Sequence, residues 1–247
     1  MFEYHFLLFA ATFLLAGFVK GVIGFGLPTV SLGLLVMIVE LPTAMALMLI
    51  PCFVTNVWQA LSGGHFLFVL RKVGLFLWVA TVTVWLGSKI LSSIDLIWAT
   101  LLLGTLLMTY AGSQILGFAL AKQTHKNRWL ASTAGFINGI FTGLTGSFIF
   151  PGLMYLQSLD LKKDALIQAM GLLFTLSTLA LAVSLNGHNL LDLTVGWASF
   201  AVVVPALLGM LGGRRFRTHL SEVQFRKAFF ISVMMLGVII IATATFK

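Results

Sequence analysis

Residues 16–22 read Ala16-Gly17-Phe18-Val19-Lys20-Gly21-Val22, and residues 134–140 read Ala134-Gly135-Phe136-Ile137-Asn138-Gly139-Ile140. After each copy comes a second glycine pair, Gly24 and Gly26 in the first and Gly143 and Gly146 in the second. A short apolar segment follows each time, then a polar break (Glu40–Thr43, Asp160–Asp164), then a longer apolar run. The next break echoes as well, Gly63-Gly64-His65 against Asn186-Gly187-His188. Self-similarity on this scale marks a duplicated architecture. The halves are 1–121 and 130–247, with a basic linker at 122–129 between them.

What surrounds the repeat is strongly apolar. Of 247 residues, 60% are hydrophobic and only 9% charged, and the mean hydropathy is +1.06. A soluble domain carries roughly a quarter charged residues, so this chain lacks the polar cover for a water-facing surface. A spanning helix needs about 20 apolar residues, and such runs follow one another along the chain. The composition predicts an all-α polytopic membrane protein in a lipid bilayer. The formal charge of +8 sits in short loops, where it sets orientation and does not point to nucleic acid. Cys52 is the one cysteine, a small buried hydrophobe by its surroundings. The start, Met1-Phe2-Glu3-Tyr4-His5, lacks the basic region of a signal peptide.

Polar breaks divide the chain into helices at about 5–20, 27–39, 43–61, 70–90, 96–120, 129–142, 147–158, 165–185, 193–212 and 227–246. The second and seventh are too short to span. If each glycine-broken stretch (5–39 and 129–158) enters and leaves on one face, three full spans follow it in each half. The halves are then inverted repeats. One face collects Arg71, Lys72, Lys122, Lys126, Arg128, Lys162, Lys163, Arg214, Arg215, Arg217, Arg226 and Lys227, while the other holds Lys89 and Lys247. If each broken stretch crosses once, the same residues divide almost evenly, so the positive-inside rule favours the hairpins. Both termini are then expected outside, in the periplasm of a bacterial inner membrane. Two closely spaced full spans in place of each hairpin keep the same parity.

A glycine cluster inside the membrane weakens the helix, and the freed backbone groups need partners. Inverted-repeat transporters build midplane sites from such breaks, with half-helix N-termini aimed at an anionic substrate. The expected donors are Gly24, Gly26 and Thr29 around Pro28, and Thr142, Gly143, Thr145, Gly146 and Ser147 in the second copy. Lys20 is the charged member, and its repeat partner Asn138 the neutral one. An intramembrane lysine is a functional candidate, set against a lysine that snorkels to the interface or serves a structural carboxylate. The glycines carry an alternative of their own, because Gly17-x-x-x-Gly21, Gly135-x-x-x-Gly139 and Gly209-x-x-x-Gly213 are also close-packing spacings.

Further along, Thr55, Asn56 and Gln59 share one helical neighbourhood, and Thr175, Ser177 and Thr178 another. Of these Asn56, Gln59 and Thr175 are candidates to complete the cavity, with plain interhelical hydrogen bonding as the competing reading. His65 and His188 close loops, with proton coupling open to them. Glu40, Asp95 and Asp192 read as loop carboxylates. No ATP-binding glycine loop, no metal-ligand motif and no intramembrane carboxylate pair occurs in the sequence, so no cofactor, no metal and no enzyme activity is expected. The rival functions are a permease for a neutral or cationic solute and a non-transporting assembly or sensing module. Homo-oligomerisation stays open.

The motif Ala16-Gly17-Phe18-x-x-Gly21-x-x-Gly24-Phe25-Gly26, with Pro42-x-Ala44 ahead of Thr55-Asn56, resembles the TauE/SafE family of sulfite exporters and anion permeases. The second copy at 134–146 and Leu208-Gly209-x-x-Gly212 before the Arg-rich loop extend the resemblance over nearly the whole chain. It implies a secondary transporter of small anions such as sulfite, sulfoacetate, thiosulfate or related sulfonates. Lys20 is not implied by the resemblance and stands as a feature of this sequence.

Overall fold

The computed structural model describes residues 2–118, 120–122, 127–191, 193–217 and 221–246. Lys126, Asp192 and Lys247, assigned above to loops and the C-terminus, lie outside the described residues, as does the side chain of Glu3. The described residues form helices and connections without a strand. In chain order they are α1 (Phe2–Ile23), α2 (Leu27–Leu35), α3 (Leu41–Leu61), α4 (Phe66–Leu91), α5 (Leu96–Ile115), α6 (Arg128–Thr145), α7 (Gly152–Ser158), α8 (Lys163–Gly187), α9 (Leu193–Ala201), α10 (Val203–Phe216) and α11 (Glu222–Thr245).

Seven stretches of helix are long and apolar enough to cross a bilayer among the described residues, with α9 and α10 counted as one. At 1.5 Å per residue, the 22 residues of α1 reach about 33 Å. By contrast α2, with 9 residues, and α7, with 7, fall well short of a crossing. All six tryptophans stand out from the helices, among them Trp129 at 85% and Trp197 at 80% exposure. Such a surface is costly in water and suits lipid and its interface.

Two compact units form. The first comprises residues 1–51, 95–116 and 191–247, and the second 52–94 and 117–190. Each draws on both sequence halves, so the duplicated segments are interleaved in space.

In the first unit α1 lies along α10 and α5 along α11. Small residues make both approaches possible. A Cβ on Gly17 would land on the Ala206 carbonyl, and one on Gly21 on that of Met210; Gly209 and Gly213 meet the Leu14 and Phe18 carbonyls in return. On the other pair, Gly104 and Gly237 lie against each other's backbone. The short α2 packs on α1 and α11, where Gly33 receives Leu236.

The second unit repeats the device with different helices. Here α6 lies along α4, with Gly135, Gly139 and Gly143 against the backbones of Phe76, Ala80 and Val84, and Gly87 against Ile140. α8 packs on α4, and Gly171 lets α8 close on Gln59 and Ala60 of α3. The glycine copies at 17–21 and 135–139 therefore serve close packing inside continuous helices, as the alternative reading of their spacing held.

Prolines explain the remaining irregularities. Pro205 cannot donate to Ala201 and crowds its carbonyl, and the helix is interrupted at Val202, between α9 and α10. Inside α3, Pro51 leaves the Leu47 carbonyl without its helical donor. Ser199 fills the gap: its hydroxyl donates to Leu47 O at 2.8 Å and accepts from Ile50 N–H at 3.2 Å.

Candidate functional site

The breaks sit a few residues beyond the positions expected for them. α1 runs on to Ile23, so Lys20 and Gly21 are helical, and the chain turns at Gly24 (φ +86°) and Gly26 (φ +103°). Both angles belong to the left-handed region, which glycine enters without penalty. Gly24 N–H donates to Lys20 O at 2.8 Å, completing the last turn of α1. α2 then starts with Pro28 in its first turn and no side chain capping its N-terminus. Its first N–H groups point along the axis with the positive end of the dipole.

Two buried polar side chains flank this turn. Lys20 is 4% exposed, and Thr29 2%. The Thr29 hydroxyl oxygen has no hydrogen-bond partner, whereas Ser31, also on α2, donates to Leu27 O at 2.7 Å. A buried hydroxyl left unsatisfied costs about 1–3 kcal/mol, so its retention beside an uncapped helix N-terminus needs a reason. Apart from its chain neighbours, nothing lies within 4 Å of where a Cβ on Gly24 would stand, so the turn has open space beside it.

The second break corrects the expectation more strongly. α6 continues through Thr142, Gly143 and Thr145 and ends in Gly146 (φ +71°), whose N–H donates to Thr142 O at 2.8 Å. The next helix starts at Gly152, not near Ser147. Residues 142–147 thus form the carbonyl end of one helix and not the N–H end of the next. Close packing on α4 holds Gly143 helical where propensity alone suggests a break. The hydroxyls here serve the turn itself: Thr142 donates to Ser147 O at 3.2 Å, Thr145 to Phe141 O at 2.7 Å, and Ser147 N–H donates to Thr145 Oγ1 at 3.2 Å.

Asn138 is the residue that reaches across this break. Its Oδ1 accepts the Gly152 N–H at 2.9 Å and so caps α7, and only a glycine at 152 leaves room for it. Its Nδ2 is buried and unpartnered. At the position matching Lys20, the second copy therefore also carries a buried nitrogen donor.

The candidates on α3 and α8 are placed as follows. Asn56 is fully buried. Gln59 donates to Ile167 O at 3.0 Å, and Gln168, which the sequence reading missed, donates to Ala60 O at 2.8 Å and accepts the His65 N–H at 2.9 Å. The two amides lace α3 to α8. The signal for Gln168 was available, since it is a lone amide in an apolar run like Gln59. Thr175 donates to Gly171 O one turn back at 2.7 Å. Among the described residues no group of His, Cys, Asp or Glu is arranged to hold a metal ion.

A model of one protein family, described as sulfite exporter TauE/SafE, matches residues 9–240. The chain belongs to the TauE/SafE sulfite exporter family. This member is accordingly a multi-pass membrane transporter and not an enzyme, acting on a small substrate within a bilayer. No curated protein and no solved structure matches it.

Proposed function

We propose that this TauE/SafE member is a secondary permease for small sulfur-containing or carboxylate anions, and that the anion dwells at the α1–α2 turn of the first unit. The observation that carries this reading is Thr29. A buried hydroxyl without a protein partner, at an uncapped helix N-terminus, is a donor waiting for an acceptor. Lys20, buried one turn before the break, supplies the positive charge, and the N–H groups of the first turn supply direction without further charge. The α6–α7 break carries its own buried donor in Asn138 Nδ2.

The same reading places the basic loops on the cytoplasmic face and both termini in the periplasm, with the two halves inverted. With no ATP-binding motif in the sequence, movement on this reading is passive or coupled to an ion gradient, protons among the candidate ions.

The test is flux into proteoliposomes with sulfite, sulfoacetate, a neutral amino acid and a cationic amine in parallel. Saturable movement of an anion, with the neutral and cationic solutes excluded, is the expected result. Movement of the amino acid or amine without the anions would replace the proposal with the rival permease. No flux of any solute would favour a different substrate class or a non-transporting role.

A further inference from the structure

Within the first unit, the end of α5 and the start of α11 enclose a cleft of about 380 Å³ lined by Gln114, Ile115, Val223, Arg226, Lys227 and Phe230. Its chemistry is divided. Arg226, Lys227 and Gln114 offer cations and an amide, while the other three walls are apolar.

Arg226 and Lys227 form no ion pair with a described residue. Glu222 stands one turn earlier in sequence, and its side chain is outside the described residues. Arg226 rests 6.0 Å from the Phe230 ring centroid, which fixes the guanidinium beside the aromatic wall. Behind that wall Tyr110 meets Phe230 edge-on at 5.6 Å, its hydroxyl buried and unpartnered.

The cleft also continues into an apolar track. Ile231, Met235 and Val238 follow Lys227 at helical spacing and are 43%, 60% and 48% exposed. The membrane-crossing stretch of α11 begins at Val223, so the cations stand at its polar end and the stripe runs into the hydrocarbon region.

We propose that this cleft binds the phosphate of an anionic phospholipid, with an acyl chain lying along Ile231, Met235 and Val238. Arginine and lysine hold the phosphate by charge-assisted hydrogen bonds, and basic pockets between helix ends suit such headgroups. A free phosphate ion would use the cations but leave the apolar track without a function, which favours the lipid. The cleft shares no lining residue with the α1–α2 turn, although its wall residue Phe230 meets Phe25 of that turn with ring centroids 6.5 Å apart, and lipid binding is read without any transport measurement.

Native mass spectrometry of the purified full chain, titrated with phosphatidylglycerol, phosphatidylcholine and inorganic phosphate, tests this. Phosphatidylglycerol should bind at least about tenfold more tightly than phosphatidylcholine. Arg226→Gln/Lys227→Gln should erase that difference, while Lys89→Gln/Lys162→Gln, with the same charge change at exposed positions elsewhere, should preserve it. If the first double variant does not fold, Lys227→Gln alone, also at an exposed position, should still weaken phosphatidylglycerol several-fold. Equal binding of the two lipids, or unchanged phosphatidylglycerol binding in the Arg226/Lys227 variants, overturns the proposal. Displacement of phosphatidylglycerol by equimolar inorganic phosphate would also overturn it and assign a small-anion site instead.

Discussion

Asn138 Oδ1 accepts the Gly152 N–H at 2.9 Å, while Nδ2 of the same amide lies buried and unpartnered. One side chain thus holds the start of α7 and presents a donor beside the break. Asn138→Leu removes both functions and should destabilise the protein by about 1–3 kcal/mol, because the Gly152 N–H is left without its acceptor. Asn138→Asp keeps an acceptor for Gly152 but buries a carboxylate without a counter-charge at a site with no solvent exposure. It should melt well below the native protein at neutral pH, because an uncompensated buried charge costs several kcal/mol, and recover part of that loss at acid pH where the carboxyl is neutral.

Ser199 and Pro51 form a second pair whose coupling is measurable. Ser199→Ala strands the Leu47 carbonyl, because Pro51 has already removed its helical donor. The expected loss is about 1–3 kcal/mol. Pro51→Ala restores the N–H, so adding it to Ser199→Ala should recover much of that loss. Purely additive effects in the double-mutant cycle would show that Ser199 does not serve the proline gap.

The glycines should separate into two groups under substitution. Gly24→Ala meets open space and suffers only the cost of a left-handed backbone, about 1–2 kcal/mol. Gly139→Ala places a methyl group on the Ala80 carbonyl and the Thr83 hydroxyl, inside the α4–α6 contact. It should reduce the yield of monodisperse protein far more than Gly24→Ala does, and a Gly139→Ala protein as stable as the native one would contradict the packing described here.

Gln168 offers a test of the α3–α8 lacing. Gln168→Leu leaves both Ala60 O and His65 N–H without their partner and should lower the melting temperature by several degrees. Gln59→Leu frees one carbonyl, that of Ile167, and should cost less.

The helical class could be read from the apolar composition and runs, and the presence of a break in each half from the glycine copies. The ends of the breaks could not. Gly21 and Gly143 carry low helix propensity, yet both stay helical because Met210 and Val84 backbones press against them. A spacing of four residues between glycines serves a packing groove and a weakened helix equally well, and tertiary contact decides which. Interleaving was hidden for a related reason. Gly17 and Gly21 announce that α1 needs a smooth partner, but not that the partner is α10 from the other half. Ser199 carries no signal of its own in the sequence, because its role exists only through the Leu47 carbonyl that Pro51 strands, 152 residues away.

The Thr29 hydroxyl is the centre of the proposed anion site, and the measurement that tests it most directly is anion flux and melting temperature of Thr29→Val in parallel. Valine keeps the shape and removes an oxygen that has no protein partner, so stability should hold or rise slightly. The predicted result is an unchanged or higher melting temperature with the KM for the transported anion raised about tenfold. A lower melting temperature with an unchanged KM would show that the hydroxyl serves the fold and that the anion binds elsewhere.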